Sequence, residues 1–371
     1  MKVKLCYGGE SHGYGLAGIL DGLPRGLKIN LEMIKRNLAR RRKGVGRGPR
    51  RKIEDDNFTI ACGIIDGITT GGAIGFIMEN RSQELRRQEI PRPGHVDLPG
   101  ALKYETYDID SVAERASARE TAIRVLAGTI CIQFLEHFGI TITGWVEAIG
   151  RTGSKIRITD LKSMAGLVKK SRVSCPDPVA SKAMLQEIKN ARKKGETLGG
   201  IIRVGADGII PGIGGISHPE KRLDSRLAAA IMSIPSVKGV EIGEGFKQAR
   251  IQGSKAHDPI LWDNGKFYHS SNFAGGIEGG ITNGEMILVR AALKPISTLK
   301  KGLPSVKMKT KQEVLGPAYR SDVCAVPSAV VIAEAMTALV LADAYLEKFS
   351  GDSLKESLRN FKNYRDSIRK L

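Results

Sequence analysis

The amino-acid sequence predicts an α+β fold in which long helices lie buried against antiparallel strands. Two observations carry that reading. Two long stretches, Ser111–Phe138 and Pro327–Phe349, hold apolar residues on more than one side of a helix. They include Val125, Leu126, Ile130, Ile132, Phe134 and Leu135 in the first, and Val330, Ile332, Met336, Leu339, Val340 and Leu341 in the second. That pattern belongs to helices enclosed between layers. Around them lie short β-branched runs separated by Gly turns, without the regular strand–helix alternation of a parallel sheet. A chain of 371 residues, 41 % hydrophobic and 26 % charged, has the composition of a folded protein with a sizeable core.

Each element has its own signal. The first helix starts after Asn30 as N-cap, carries Leu31, Ile34 and Leu38 on one face, and stops at Gly44. A strand is expected over Phe58–Ile65. The helix Ser111–Phe138 is closed by Gly139, and a strand follows over Thr141–Ile149. A third helix runs over Pro178–Lys194, between an Asp177 cap and Gly195. Strands are expected over Gly200–Ala206, Val240–Ile242 and Met286–Leu293, and the last helix is Pro327–Phe349.

Composition excludes several classes. The start MKVKLCYGGESHG lacks the apolar core of a signal peptide, and no run of about 18 uninterrupted apolar residues occurs, so a cytoplasmic protein without a membrane partner is expected. Five cysteines stand far apart without CxxC spacing, which points to reduced thiols and no metal site. Neither GxGxxG between strand and helix nor GxxxxGK[ST] is present. The formal charge is +19, and ten basic residues lie in the acid-free segment from Lys35 to Lys52. An Arg-rich run of this kind is the electrostatic footprint of a nucleic-acid binder, although aromatic residues at 5 % supply few stacking platforms.

Five constellations can carry chemistry. In Gly8-Gly9-Glu10-Ser11-His12-Gly13, a His beside Gly is either a solvated turn or a general acid. Arg92-Pro93-Gly94-His95-Val96-Asp97 sets Arg and His in a Pro-held loop. Arg115 and Arg119, four apart in the expected helix, either cradle a phosphate or pair with Glu114 and Glu120 on a solvated face. Lys294-Pro295-Ile296-Ser297-Thr298, preceded by the glycine-dense stretch from Gly275 to Gly284, suits a phosphate or forms plain turns. Arg320 and Asp322 stand at the entry to the last helix, as a capping pair or facing a pocket.

Taken together, these segments resemble the signature segments of the chorismate synthase family, in order along the chain from about Lys4 to about Phe349. They are GGESHG, RRRKGVGRG, RPGHVD, ERASARETAIRVLAG, HPEKRLDSRLAAAIMSIPSVKGVEIGEGF, NFAGGIEGGITNG, LKPISTL and RSDVCAVP. The resemblance implies one catalytic domain over residues 1–349, built as a β-α-β sandwich, with a basic helical tail over 350–371. It implies a homotetramer that eliminates phosphate from 5-enolpyruvylshikimate 3-phosphate to give chorismate in the shikimate pathway, with reduced FMN (FMNH2) and no nucleic-acid partner.

The same resemblance implies roles for single residues. His12 would protonate the departing phosphate, and His95 would protonate or stabilise the reduced flavin. Asp322 and Ser11 match the pair that relays a proton from flavin N5. Arg41 and Arg47 match arginines for the substrate phosphate or for NADPH. FMN would meet Arg115, Ala116, Ser117, Gln248, Ala249, Gly279, Lys294, Pro295, Ile296, Ser297, Thr298 and Arg320. Where relatives carry Ser-Ser or Asn-Ala, this chain has Ala116 and Gln248-Ala249, so contact there falls largely to the backbone. The length, without an evident insertion, favours dependence on a separate flavin reductase over self-reduction by NADPH. The basic segment from Lys35 to Lys52 is then expected to act as a funnel for small polyanions.

Overall fold

A computed structural model describes residues 2–48, 54–83, 88–156, 160–263, 265–318 and 322–371. The strands are β1 (Lys4–Gly9), β2 (Gly15–Asp21), β3 (Thr59–Cys62), β4 (Ile64–Ile65), β5 (Ile68–Thr69), β6 (Ile74–Glu79), β7 (Thr141–Ile149), β8 (Thr152–Gly153), β9 (Gly200–Asp207) and β10 (Val237–Ile242), then β11 (Ile260–Asp263), β12 (Lys266–His269), β13 (Ile277–Glu278), β14 (Ile281–Thr282), β15 (Ile287–Leu293), β16 (Pro304–Val306) and β17 (Glu313–Leu315). The helices are α1 (Leu31–Lys43), α2 (Asp97–Lys103), α3 (Ile109–Arg115), α4 (Thr121–Glu136), α5 (Leu161–Lys170), α6 (Pro178–Lys194), α7 (Leu223–Met232), α8 (Gly245–Gln248), α9 (Gly253–Ala256), α10 (Val326–Lys348) and α11 (Leu354–Ile368).

Two antiparallel sheets enclose the long helices, as the sequence predicts. One has the order β1-β2-β6-β3 and the other β10-β15-β9-β7-β8. Along β2, Leu16, Gly18 and Leu20 are buried while Ala17, Ile19 and Asp21 are exposed, the period-two pattern of a sheet with one covered face. That covered face meets α4, and the second sheet packs on α10. By length and a mean hydropathy of 1.8 over 18 residues α10 can span a membrane, but 83 % of that window is buried inside the protein. It is a core helix. Gly128 lets α4 cross it closely, since a Cβ there would stand 2.4 Å from Ala335 Cβ and 2.5 Å from its Cα.

The predicted caps are present. Asn30 accepts from the Met33 N–H, Asp177 from Val179 and Ala180, and Gly195 is left-handed at φ 71°. The strand expected over Phe58–Ile65 is divided at Gly63, whose φ of 85° turns the chain. The C-terminal helix α11 docks on an aromatic cluster, with Phe361 5.2 Å from Phe138 and 5.3 Å from Phe349.

The single helix expected over Ser111–Phe138 is a correction. It is α3, a break at Ala116 and Ser117, a 3₁₀ turn over Ala118–Glu120, and then α4. Ser117 takes extended backbone and its hydroxyl accepts from the Arg119 N–H, a local bond that competes with helix continuation. Arg115 and Arg119 therefore do not form an i, i+4 pair. Arg115 closes α3 at the surface, while Arg119 is buried in the 3₁₀ turn.

Arg119 reaches a buried ionic cluster. Asp56 is 3 % exposed, in left-handed backbone at φ 57°, and its carboxylate takes Arg41 Nη2 at 2.8 Å and Arg119 Nη1. Arg119 also bonds Asn80 Oδ1 at 2.9 Å, and Glu54 lies 3.6 Å away. Burial alone would raise the Asp56 carboxyl, but the charges of Arg41 and Arg119 and their hydrogen bonds hold it below the usual carboxylate range. A second buried carboxylate, Glu334 on α10, takes Arg40 at 2.8 and 3.0 Å and the Gly144 N–H at 2.8 Å, joining α10, α1 and β7.

Gly128→Ala is expected to lower stability by about 2 kcal/mol. A clash with backbone cannot be relieved by a rotamer and costs about 3 kcal/mol, against a gain of about 1 kcal/mol in helix propensity. An unchanged urea midpoint would contradict the close crossing. Asp56→Asn keeps the shape and tolerates positive φ, so its loss, about 3–5 kcal/mol at pH 7, isolates the charge that the arginines need. Because the folded carboxyl is lowered, its contribution is present above the unfolded value near ~4 and is lost as pH falls through the lower folded one. The stability gap between Asp56→Asn and wild type should hold down to about pH 4 and narrow only below it; a gap that closes between pH 7 and 5 would refute this.

Candidate active site

The loop between β1 and β2 carries Ser11 and His12. Its turn needs Gly9, at φ 135°, where a Cβ would lie 2.3 Å from the Gly15 carbonyl oxygen. Asn80, at the end of β6, holds the loop by donating to the carbonyls of Glu10 at 2.8 Å and Gly13 at 3.0 Å. Ser11 is buried, and its N–H donates to the Glu114 carbonyl. His12 is clasped by the Glu114 side chain: Oε2 accepts the His12 backbone N–H at 2.5 Å and Oε1 stands 2.7 Å from Nδ1.

His95 lies just before α2 and is held in the same manner. Its Nδ1 is 2.6 Å from Asp97 Oδ1. Asp97 is fully buried and also takes Arg92 through Nε at 2.7 Å, Nη2 at 2.8 Å and the backbone N–H at 2.9 Å. Burial would raise the Asp97 carboxyl, but hydrogen bonds from Arg92 and His95 outweigh it and hold it far below the ordinary range.

The Lys294–Thr298 segment packs beside that loop. Lys294 Nζ donates to the Gly94 carbonyl, and Ser305 Oγ on β16 donates to the Pro91 carbonyl at 2.6 Å. The Lys294 backbone N–H donates to Ser236 at 2.9 Å, and the neighbouring Pro235 lines a cleft of about 400 Å³ together with Gly8, Gly9, Glu10, Arg115 and Ala116. The His95 loop, the Lys294 segment, Arg115 and the Ser11–His12 loop are thus contiguous. Arg115 stacks 4.4 Å above the Tyr104 ring and donates through Nε to the Ser111 carbonyl, which fixes the guanidinium at the cleft.

The fold does not gather every predicted residue. Lys294 leaves β15 beside Val237, where β10 begins, whereas Gln248 and Ala249 follow the other end of β10 at Ile242. Five strand residues separate those ends by roughly 17 Å. Gly279 lies in the β13–β14 hairpin, which leads into the Ile287 end of β15, also away from Lys294. Arg320 lies outside the described residues.

In the arginine-rich segment, of which Arg50, Arg51 and Lys52 lie outside the described residues, four arginines have partners within the chain. Position 41 shares the inward face of α1 with Ile34 and Leu38, so Arg41 is 4 % exposed and bound to Asp56 and Thr121 rather than open to a ligand. Arg40 pairs with Glu334, Arg42 donates to the Glu54 carbonyl, and Arg47 pairs with Asp322 at 2.8 Å. Arg40, Arg41 and Arg42 are engaged because α1 packs on α4 and α10, and Arg47, in the loop after α1, because that loop meets Asp322 before α10, so these four do not form a free basic stripe. Asp322 also accepts from the Gly48 N–H, and the two loops meet because a Cβ at Gly46 would lie 2.9 Å from Cys324 Cβ.

Sequence reasoning missed the carboxylates behind the site. Asp97 stands two residues from His95, a spacing that allows the contact. Glu114 reads in sequence as a surface partner of the arginines around it. Asp56 and Glu54 carry no local signal, since their partners lie far along the chain.

The family model described as chorismate synthase matches residues 3–346. A chorismate synthase of Symbiobacterium thermophilum is 46 % identical over 385 aligned residues, covering 97 % of this chain and 98 % of that protein. One of Geobacter sulfurreducens is also 46 % identical, with the same coverage. A crystal structure of chorismate synthase superposes with a TM-score of 0.84 at 36 % identity, covering all of this chain and 99 % of the other. With its sequence and its fold matched along nearly the full length, the chain belongs to the chorismate synthase family.

Proposed function

We propose that this protein eliminates phosphate from 5-enolpyruvylshikimate 3-phosphate, giving chorismate for aromatic biosynthesis in the cytoplasm, as a lyase that requires reduced FMN. The observation that carries the reading is the pair of loop histidines, each held through Nδ1 by a carboxylate, which leaves Nε2 to serve a reactant.

The residues present fit a phosphorylated cofactor. A cleft of about 400 Å³ is in the size range of small-molecule sites. It offers the guanidinium groups of Arg115 and Arg124 and the open backbone at Gly8. When bound, reduced FMN supplies transient electron density to an elimination without net redox change, which no protein side chain offers.

The chain's own groups handle protons and anions. His12 gives a proton from Nε2 to the departing phosphate, and His95 holds one at Nε2 on the cofactor side. Ser11 and Asp322 serve as the pair that relays a proton from the cofactor side, with Arg47 pairing with Asp322 at 2.8 Å. Gln248, Ala249 and Gly279 reach a cofactor bound near Lys294 only from a second copy, which favours the homotetramer. NADPH acts upstream as a reductant, through a separate reductase.

Purified protein assayed anaerobically with enolpyruvylshikimate phosphate should release phosphate in large molar excess over dithionite-reduced FMN, and none with oxidised FMN and NADPH alone. His12→Ala and His95→Ala should each lose about 10²-fold or more in turnover. Phosphate release stoichiometric with flavin oxidation, or full activity in both variants, would sink the proposal.

A further inference from the structure

Neither carboxylate that grips the two histidines has a part in the elimination itself. Both are built for a single purpose. Glu114 uses one oxygen to accept the His12 backbone N–H and sets the other 2.7 Å from His12 Nδ1. Asp97 is fully buried, with Oδ2 taking Arg92 Nε and N–H and Oδ1 taking Arg92 Nη2 as well as His95 Nδ1. An acceptor-only group at 2.6–2.7 Å obliges the ring nitrogen to be the donor.

We propose that Glu114 and Asp97 are positioning residues that keep a proton on Nδ1 of His12 and of His95 throughout turnover, so that Nε2 alone gains and loses a proton. The reason is chemical. An imidazolium that gives up its Nε2 proton leaves the neutral Nδ1–H ring, which the carboxylate stabilises. If an amide NH₂ faced Nδ1 instead, the neutral ring would hold its only proton on Nε2, and donation would leave an imidazolate. Arg92 Nη2 and His95 Nδ1 converge on the same Asp97 oxygen, at 2.8 and 2.6 Å, which leaves these two nitrogens 3.2 Å apart. The guanidinium can only donate and would itself bond Nδ1 in the Nε2–H ring, so at His95 the carboxylate has to outweigh it, whereas among the described residues His12 faces Glu114 without such a competitor.

The activity readout rests on the proposed elimination, whereas the tautomer readout does not. The chain has six histidines, so ¹⁵N-histidine magic-angle-spinning NMR can be assigned with His12→Gln and His95→Gln. Wild-type protein above the titration range should show His12 and His95 as Nδ1–H rings. Glu114→Gln and Asp97→Asn should each move their own histidine towards the Nε2–H form. They should also lower kcat by about 10²- to 10⁴-fold, with KM changed less than about threefold.

Asp97 is buried and its variant can fail to fold; Glu114, 13 % exposed at its side chain, then decides alone. Wild-type ring spectra in Glu114→Gln, or wild-type kcat, overturn the inference. If His12→Ala and His95→Ala are inactive while Glu114→Gln is fully active, the elimination stands and the positioning role falls. Tautomer shifts as expected in a protein without lyase turnover give the reverse result.

Discussion

The site rests on one buried negative charge. Asp56 sits in left-handed backbone with Arg41 from α1 on one oxygen and Arg119 from the turn before α4 on the other. A carboxylate so enclosed is tolerated only with such partners, so the two arginines are drawn to it and the elements carrying them are locked together. Arg119 continues through Asn80 to the carbonyls of the Ser11–His12 loop. On the other side, Arg40 binds Glu334 and ties α1 to the core helix α10. The Ser11–His12 loop is therefore referenced to the centre of the molecule through Asn80 and the ionic cluster behind it.

The same economy of parts holds at the histidines. Each lies in a flexible type of segment, a Gly-rich turn or a Pro-held loop, and each is made rigid by one carboxylate at Nδ1. Loops give access to a ligand, and the grip of a second residue restores the precision that a loop lacks. The His95 loop is further strapped by Lys294 and Ser305. A residue expected to meet the cofactor thus also holds the loop of an expected acid.

Much of the fold was legible because its signals are local. Asn30, Asp177 and Gly195 act within a few residues, so the helix ends they mark appear where expected. Period-two burial in β2 and apolar residues all round α4 and α10 report the layering directly. The break at Ala116 and Ser117 was not legible, because the sequence there reads as good helix. It is favoured by the Ser117 cap and by the burial of Arg119 against Asp56, and the second of these depends on a residue 63 positions away.

Read alone, the amino-acid order specified the α+β layering, the limits of α1 and α6 and the two histidine motifs, whose order along the chain already resembled one enzyme family. Tertiary structure decided what the charges do. The basic segment from Lys35 onwards reads as a surface for anions, yet Arg40, Arg41 and Arg47 end in ion pairs with Glu334, Asp56 and Asp322. Two of these acids lie more than 270 residues away. Charge in a sequence has a sign and a position but no partner. For Arg40 and Arg41 the packing of α1 between α4 and α10 chooses the partner, and for Arg47 the meeting of its loop with the one before α10, because burying an arginine is affordable where a carboxylate waits and not elsewhere.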